Sequence, residues 1–230
     1  MCVRVETEYW NEYQGAKTYA TLMPLLKHYT DLQERVLALI GSDCIIGDFA
    51  CGPGLFSMRC LGEGKRVFAV DKSKAMLDHF KDNVSWRGIF PTQLAIAQGD
   101  LKNIPLDDES VETAVCMNAL YNNDDPRKIV LELVRVAKNQ IIITGPKPSY
   151  DHDVLLESSK KDFRESELFY SHKDMISEFL EGNEKLKKYH MPALIEPDEV
   201  VSLLLENGCS SAEIKEDIYL GQGYLVVGLK

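Results

Sequence analysis

The sequence has no long uncharged hydrophobic run and no paired cysteine motif. Its first residues, Met1–Glu6, contain no apolar core of the kind that a secretory signal peptide needs. Six cysteines are present, but none form a C-x-x-C pair, and no group of His, Cys and Asp has metal-ligand spacing. These absences favour a cytoplasmic protein with reduced cysteines, no membrane-spanning segment and no bound metal.

Basic residues are also scarce, because 26 Lys and Arg stand against 36 Asp and Glu, for a net charge of −10. Nucleic-acid-binding proteins neutralise phosphates with clustered Lys and Arg. The one dense basic run, Lys185–Lys188, is typical of a solvated helix face. We therefore expect no nucleic-acid partner. With 230 residues, 45% of them hydrophobic, the chain can bury one full core as a single domain.

The most informative stretch is Ile45–Ser57, where an apolar run is broken by glycines and then followed by a helix-forming segment. A buried strand, a glycine turn and a helix begin a mononucleotide-binding unit, in which glycine lets the backbone close on a ligand. Acidic residues follow the next two apolar runs, Asp71 after Val67–Val70 and Asp100 after Leu94–Ala97. An acid roughly 20 residues beyond the glycines can accept hydrogen bonds from both ribose hydroxyls.

These residues resemble the motifs of the class I S-adenosylmethionine-dependent methyltransferases, specifically the small-molecule branch called type 11. The first motif is Asp48–Gly54 and the second is Val70–Asp71. The third is Gly99–Asp100, followed by Ile104–Leu106 and Asp108–Glu112. Together the motifs are far more specific than a lone G-x-G turn.

Along the chain, apolar runs alternate with segments whose apolar residues recur at helical spacing. Five such runs are predicted strands: Cys44–Ala50, Val67–Val70, Leu94–Ala97, Val111–Met117 and Ile141–Thr144. Two more, Ala212–Ile218 and Tyr224–Leu229, flank the short connection Gly221–Gly223 and predict an antiparallel hairpin. Alternating strands and helices imply a parallel sheet with right-handed crossovers. We therefore predict an α/β, Rossmann-like fold with a seven-stranded, mostly parallel sheet, an antiparallel C-terminal hairpin strand and helices on both faces.

The resemblance divides the single methyltransferase domain, residues 1–230, into four parts. Residues 1–40 are a predicted N-terminal helical lid, in which Pro24 separates two helices. Residues 41–146 form the cofactor-binding half. Residues 147–195 form an insertion that covers the substrate, with a predicted helix over Lys173–Lys188. Residues 196–230 supply a C-terminal helix and the hairpin.

The resemblance implies that S-adenosyl-L-methionine is the cofactor. Asp48 and the Gly52–Gly54 backbone would face its methionine part, Asp71 its ribose and Asp100 its adenine amino group. The remaining cofactor-binding residues that the resemblance implies are Tyr19, Ala50, Cys51, Lys72, Met76, Leu101 and Asn118.

Tyr19 belongs to a segment that is similar to the family's aromatic-Asp-x-x-Ala-x-x-Tyr pattern, which closes over the cofactor. Ala16 and Tyr19 fit the second half of the pattern, whereas Tyr13 stands where the pattern has Asp.

The methyl acceptor is harder to predict. Asn118, just past the fourth predicted strand, would point near the transferring methyl group, with Tyr121 close behind; alternatively both only shape a polar loop. The Asn-Pro-Pro-Tyr signature of enzymes that methylate amino groups of nucleic acids is missing, since Asn118–Tyr121 reads Asn-Ala-Leu-Tyr. This argues against a nucleobase or a glutamine amide as the acceptor.

Three histidines are candidate general bases because they lie in or beside the insertion, namely His152, His172 and His190. We prefer His152 because it follows the fifth predicted strand closely. His28 and His79 lie on predicted helices, where structural roles are expected.

The function predicted from these features is methyl transfer from S-adenosylmethionine to an oxygen or nitrogen atom of a small organic acceptor. An NAD-dependent oxidoreductase is a second hypothesis, because Gly52, Gly54 and Asp71 alone fit it. Against it, the third glycine position is Ser57, and Gly99–Asp100 has no role in that scheme. A cofactor-binding protein without catalysis is a third hypothesis, since binding motifs do not report turnover. The oligomeric state is left open.

Overall fold

The computed structural model describes residues 13–42, 45–87, 92–186 and 194–230. Its seven strands are β1 (Ile45–Phe49), β2 (Arg66–Asp71), β3 (Leu94–Gln98), β4 (Val111–Met117), β5 (Ala137–Pro146), β6 (Ser211–Ile218) and β7 (Gly223–Leu229). They form one sheet in the order β3-β2-β1-β4-β5-β7-β6. Strands β1 to β5 are parallel, whereas β7 runs antiparallel to both β5 and β6. The predicted sheet with its antiparallel C-terminal hairpin is confirmed.

Helices cover both faces of the sheet. They are α1 (Tyr13–Leu22), α2 (Lys27–Ala38), α3 (Leu55–Gly62), α4 (Lys74–Arg87), α5 (Pro126–Val136), α6 (His152–Glu165), α7 (Lys173–Leu186) and α8 (Pro197–Glu206). Neighbouring residues of one strand point to opposite faces. Accordingly, Ile141 and Ile143 pack in the core beneath α5 and α8, and Ile142 packs in the core beneath α2, α3 and α4.

Most local expectations agree with the structure. Pro24 lies in a short 3-10 turn, Met23–Leu25, between α1 and α2, as expected from its missing N–H. The Ser73 hydroxyl caps α4 by accepting a hydrogen bond from the Met76 backbone amide (3.2 Å). Cys44, residues 187–188 and His190, like residues 1–12, lie outside the described residues.

Two expectations need correction. The fifth strand is longer than Ile141–Thr144, because it begins at Ala137 directly after α5 and pairs with β4 through a register shift. The insertion contains α6 in addition to the predicted helix over Lys173–Lys188. Helix α6 is mostly polar, and its few buried residues gave too weak a period to reveal it.

The N-terminal helices and the insertion share a hydrophobic core separate from the sheet. From here on, the lid means the N-terminal helices α1 and α2 together with the insertion helices α6 and α7. Buried members of its core are Leu22, Leu26, Tyr29, Phe163 and Ile176. The Lys27 backbone amide, at the first residue of α2, donates a hydrogen bond to the buried Asp162 carboxylate of α6 (2.8 Å). The two halves of the lid are therefore joined by apolar packing and by a helix cap supplied from another helix.

We predict that Asp162→Ala destabilises the protein by about 1 kcal/mol, because the substitution removes this cap. Urea unfolding followed by circular dichroism measures the change. Glu165→Ala is the matched control, because it removes only exposed ion pairs, with Lys27 and Lys161, and is expected to leave the midpoint nearly unchanged. Equal midpoints for the two variants would contradict the cap's role.

Candidate active site

The site is built around the loop that follows β1, residues 50–54. Ala50, Gly52 and Gly54 have positive φ angles of 64°, 54° and 78°. The Ala50 and Cys51 amides both donate hydrogen bonds to the Val70 carbonyl (2.8 and 3.1 Å), which fastens the loop to β2. A left-handed backbone is costly for a residue with a side chain, so Ala50 is a strained position at the centre of the loop.

Glycine is required at position 54 for two reasons. Its φ angle starts α3 in the left-handed region, and an added Cβ would lie only 2.2 Å from the buried Phe80 ring. At position 52 an added Cβ would meet only Met76 Sδ, at 3.9 Å. The loop thus packs tightly against α4 at one end and has open space beside Met76 at the other.

The Asp71 carboxylate at the end of β2 holds the loop in place. Its two oxygens accept hydrogen bonds from the backbone amides of Gly52 and Ser73, each at 2.8 Å. Burial raises the pKa of Asp71, and hydrogen bonds from the backbone of Ser73, Gly52 and Lys72 oppose the rise. An ionised carboxylate has about four lone-pair sites, so Asp71 keeps acceptor capacity for a ligand hydroxyl.

Asp48, near the end of β1, is a second carboxylate and is only 3% exposed. The Ser57 hydroxyl of α3 donates to Asp48 Oδ2 (2.5 Å). Burial, together with the neighbouring negative charge of Asp71, raises the pKa of Asp48 to about 6, although the Ser57 hydrogen bond opposes the rise. A positively charged ligand group beside Asp48 would stabilise the ionised form.

Asp100, after β3, is the third acid of this edge and is more exposed than the other two. It accepts a hydrogen bond from the Lys102 amide (2.9 Å), and Lys72 Nζ lies 3.7 Å from its other oxygen. The next residue, Leu101, is buried at the start of a 3-10 turn. The carboxyl ends of β1, β2 and β3 therefore carry the three acids predicted from the sequence.

Helix α1 of the lid packs over the beginning of α4. Ala16, Ala75 and Met76 form a small buried cluster with Tyr19 packed against it. The Tyr19 ring also meets Tyr29 of α2 edge-on, with centroids 6.2 Å apart. Burial, together with the charges of Asp71 and Asp48, raises the pKa of Tyr19 to about 12, although a hydrogen bond with Tyr29 opposes the rise. Tyr19 is thus brought to the same edge as the two buried carboxylates.

Asn118, which follows β4, makes a contact that the sequence did not indicate. Its amide Nδ2 donates a hydrogen bond to the Tyr219 hydroxyl in the β6–β7 turn, and its Oδ1 accepts one from Thr144 Oγ1 (3.3 Å). Asn118, Tyr219 and Leu220 all have positive φ angles, between 53° and 58°. Sequence analysis missed Tyr219, since only the glycines of that hairpin connection were noticed.

Two other predicted acceptor residues, Tyr121 and His152, lie on different elements. Tyr121 lies in the short turn Leu120–Asn122 after β4, and its hydroxyl interacts electrostatically with that of Tyr219. His152 begins α6, with its ring 6.0 Å from that of Tyr150. His28, to which sequence analysis gave a structural role, packs its ring edge-on against Tyr219, with centroids 5.5 Å apart.

Comparison with known proteins begins with the sequence. Residues 47–143 match the family model described as a methyltransferase domain. This part of the chain is a methyltransferase domain. The match confirms the predicted class of S-adenosylmethionine-dependent methyltransferases, and with it the enzyme class and the methyl donor. Comparison with curated protein sequences gives no significant match.

Solved structures confirm the fold of the methyltransferase. One similar structure is magnesium protoporphyrin IX methyltransferase from Synechocystis PCC 6803 with bound SAH, at a TM-score of 0.68, 12% identity and 99% coverage of both chains. Another is a putative S-adenosylmethionine-dependent methyltransferase from Methanococcus maripaludis, at a TM-score of 0.65 and 21% identity, covering 95% of this chain and 93% of that chain. A third, from Thermotoga maritima, is described as a possible histamine N-methyltransferase, at a TM-score of 0.63 and 17% identity, covering 95% of this chain and 97% of that chain.

The geometry of the edge fits S-adenosylmethionine. The left-handed loop leaves space beside Gly52, Asp71 retains acceptor capacity for hydroxyls, and buried Asp48 lacks a positive partner among the described residues. The described residues contain no group of three His, Cys, Asp or Glu side chains placed to hold a metal. None of the helices in the described ranges is long and apolar enough to cross a membrane.

We predict that Asp48→Asn weakens S-adenosylmethionine binding but stabilises the free protein. Because the folded-state pKa of Asp48, about 6, exceeds its ordinary value of 3.8, the carboxylate destabilises the fold above pH 6. At 1.36 kcal/mol per pKa unit this penalty is at most roughly 3 kcal/mol. Asparagine removes the penalty and still accepts the Ser57 hydrogen bond.

Urea unfolding at several pH values checks this prediction. The advantage of Asp48→Asn should be greatest above pH 6, shrink as the pH falls from 6 towards 3.8, and be lost below pH 3.8, where Asp48 is protonated in both the folded and the unfolded state. Calorimetry should find wild-type affinity for S-adenosylmethionine falling as the pH is lowered through about 6. A variant less stable than wild type at pH 7.5 would contradict the assigned cost of burial.

Proposed function

We propose that this methyltransferase transfers the methyl group of S-adenosylmethionine to an oxygen or nitrogen atom of a small organic acceptor held beneath the lid. The observation that carries the proposal is the hydrogen bond between Asn118 and Tyr219, which brings polar groups to the strand edge beside the donor loop. The lid, with its own hydrophobic core, supplies the enclosing wall. An enclosed aromatic site suits a compact acceptor better than a polymer.

In this proposal each acid binds a different part of the donor. The buried Asp48 carboxylate attracts the donor's ammonium group, either directly or through water. Asp71 accepts hydrogen bonds from the ribose hydroxyls, and Asp100 with the Leu101 amide receives the adenine, flanked by Lys72 and Met76. The backbone of Ala50–Gly54 lies against the methionine part, and Tyr19 closes over it from the lid.

The chemistry asks the protein mainly for positioning. S-adenosylmethionine supplies a methyl group that is already activated by the positive charge of its sulfonium. Holding two reactants in line can contribute roughly 7–11 kcal/mol to lowering a barrier. Asn118 is itself fixed from two sides, by its side-chain bonds to Tyr219 and Thr144 and by its backbone amide bond to the Thr144 carbonyl (2.9 Å). Such a residue can orient an acceptor without moving.

Two solved structures and the net charge bear on the class of acceptor. One structure of similar fold is described as a possible histamine N-methyltransferase, and another acts on magnesium protoporphyrin IX. Both acceptors are small molecules rather than polymers, and the net charge of −10 also disfavours a polyanion. We propose a small-molecule acceptor, no nucleic-acid partner and a cytoplasmic location on these grounds.

The test is calorimetric titration of S-adenosylmethionine, S-adenosylhomocysteine and NAD into the protein. We expect micromolar binding of the first two and none of NAD. Asp71→Asn should weaken this binding at least tenfold, because its amide nitrogen cannot accept from Gly52 or Ser73 and pairs less well with ribose. Asp78→Asn, which makes the same charge change at an exposed ion pair on α4, should bind normally. Binding of NAD instead would favour the oxidoreductase hypothesis.

A further inference from the structure

One histidine of the lid reaches the acceptor side of the site. His28 is the second residue of α2, and its ring packs at 77° to the Tyr219 ring. The Tyr219 hydroxyl in turn accepts a hydrogen bond from Asn118, at the end of β4. His28, Tyr219 and Asn118 therefore form a continuous contact from the lid to the strand edge, although they come from distant parts of the sequence.

The His28 ring has an unused polar atom. Its Nδ1 is buried and has no hydrogen-bond partner among the described residues. Leaving a buried polar atom unpaired costs roughly 1–3 kcal/mol, which is why such atoms mark places where a ligand or a water completes the structure. A ligand bearing an O–H or N–H group would satisfy Nδ1 if that nitrogen is the unprotonated one.

The charges around His28 suit a group that gains and loses a proton. Burial lowers its pKa, so the ring is neutral at pH 7, while Asp162 of α6 and Asp31 of its own helix raise the pKa and favour the protonated form. The other charged group of this region, Lys27, is held by Glu165 and Asp162. The resting ring is thus a free base, and two carboxylates stabilise the imidazolium once it forms.

The Tyr219 hydroxyl complements this base. Its oxygen accepts the Asn118 amide proton, and the hydrogen bonds among the described residues leave its own O–H proton uncommitted. Burial raises the pKa of Tyr219 well above the usual range, so the hydroxyl stays protonated and acts as a donor. A ligand atom beside Tyr219 and His28 would meet one donor and one proton acceptor, as the oxygen of an alcohol or phenol requires.

We propose that His28 is the general base of the methyl transfer and that Tyr219 orients the acceptor towards it. This inference rests on the proposed function. The acceptor's electron pair forms the bond to the methyl carbon, the electron pair of the broken carbon–sulfur bond stays on sulfur, and the acceptor's proton moves to His28 Nδ1. The acceptor is therefore a molecule that must lose a proton. A hydroxyl compound loses it as its oxygen attacks the methyl carbon, whereas an ammonium ion must give it to His28 before its nitrogen has an electron pair with which to attack. His152, the base preferred from the sequence, is the competing assignment.

The first test needs no turnover. The Cε1 proton of each histidine is followed by NMR between pH 5 and 8, and the His28 signal is the one lost in His28→Gln. We expect His28 to titrate below the ordinary histidine value of about 6.5. Its signal should also move when S-adenosylhomocysteine and a small phenol are added together. A His28 pKa at or above the ordinary value would overturn the assignment, because the ring would then be protonated over much of the neutral range and would not be a buried free base.

The second test compares three variants, His28→Gln, His152→Gln and His79→Gln, on small phenols and primary amines. His79 lies on α4, has no assigned role in proton transfer and is the control. We expect His28→Gln to lower kcat by roughly 10²–10⁴-fold, the usual contribution of a general base. Its affinity for S-adenosylhomocysteine and its urea midpoint should stay close to wild type. The acidic limb of the wild-type pH profile should disappear in this variant alone.

The outcomes separate the two levels of inference. Normal kcat in His28→Gln, or a loss confined to His152→Gln, would overturn the assignment of His28 while leaving methyl transfer intact. Failure of wild type to bind S-adenosylmethionine would contradict the proposed function itself, and the calorimetric titration reports that independently of any histidine.

Discussion

The site depends on one carboxylate that is bonded to backbone amides. Asp71 ends β2, yet its two oxygens hold the glycine loop through Gly52 and the start of α4 through Ser73. A hydrogen bond to a charged group contributes about 1.5–3 kcal/mol, twice that of a neutral one. This contribution is large enough to retain a loop in which Ala50 and Gly52 adopt left-handed backbone angles. Without Asp71, the Gly52 amide would lose the hydrogen bond that holds the loop after β1 in its open conformation.

The cost of this arrangement is two buried negative charges near each other. Asp48 and Asp71 both have raised pKa values because of burial, and the charge of Asp71 adds to the rise at Asp48. In the free protein these carboxylates oppose folding. A ligand that brings a positive charge to Asp48 and hydroxyls to Asp71 offsets the cost of burying the two carboxylates. Part of the binding free energy therefore comes from removing a destabilisation that the free protein carries. The large hydrophobic core on both faces of the sheet tolerates the cost.

The sequence predicted what is encoded locally. Apolar runs predicted the strands, and glycines predicted the turn after β1. The acids that follow the first three strands lie at one edge because the carboxyl ends of parallel strands lie there. What was missed depends on contacts between distant residues. Asn118 and Tyr219 are 101 positions apart, and Lys27 and Asp162 are 135 apart. No periodicity relates such pairs, so neither the tyrosine of the hairpin turn nor the histidine that packs on it could be assigned to the site.

The donor side and the acceptor side of the proposed site are built in different ways. In the proposed site, residues 48–101 form most of the donor side and Tyr19 of the lid closes over it, whereas the β6–β7 turn assembles the acceptor side. Tyr219 and Leu220 occupy left-handed backbone angles without being glycine, which costs about 1–3 kcal/mol each unless the surroundings enforce it. The turn is enforced on two sides: Asn118 holds the Tyr219 hydroxyl, and Gln222 bonds the backbone amides of Lys147 and Asp151 ahead of α6.

The same turn therefore touches both the sheet edge and the lid. Through Tyr219 it contacts Asn118 and His28, and through Gln222 it fixes the start of the insertion helix α6. A change in the turn would move the acceptor wall and the lid together, while the Asp71-held loop stayed in place. Motifs of the donor loop consequently identify the methyl donor but carry no information on the acceptor, and the residues proposed to recognise the acceptor are ones that only the folded chain brings into contact.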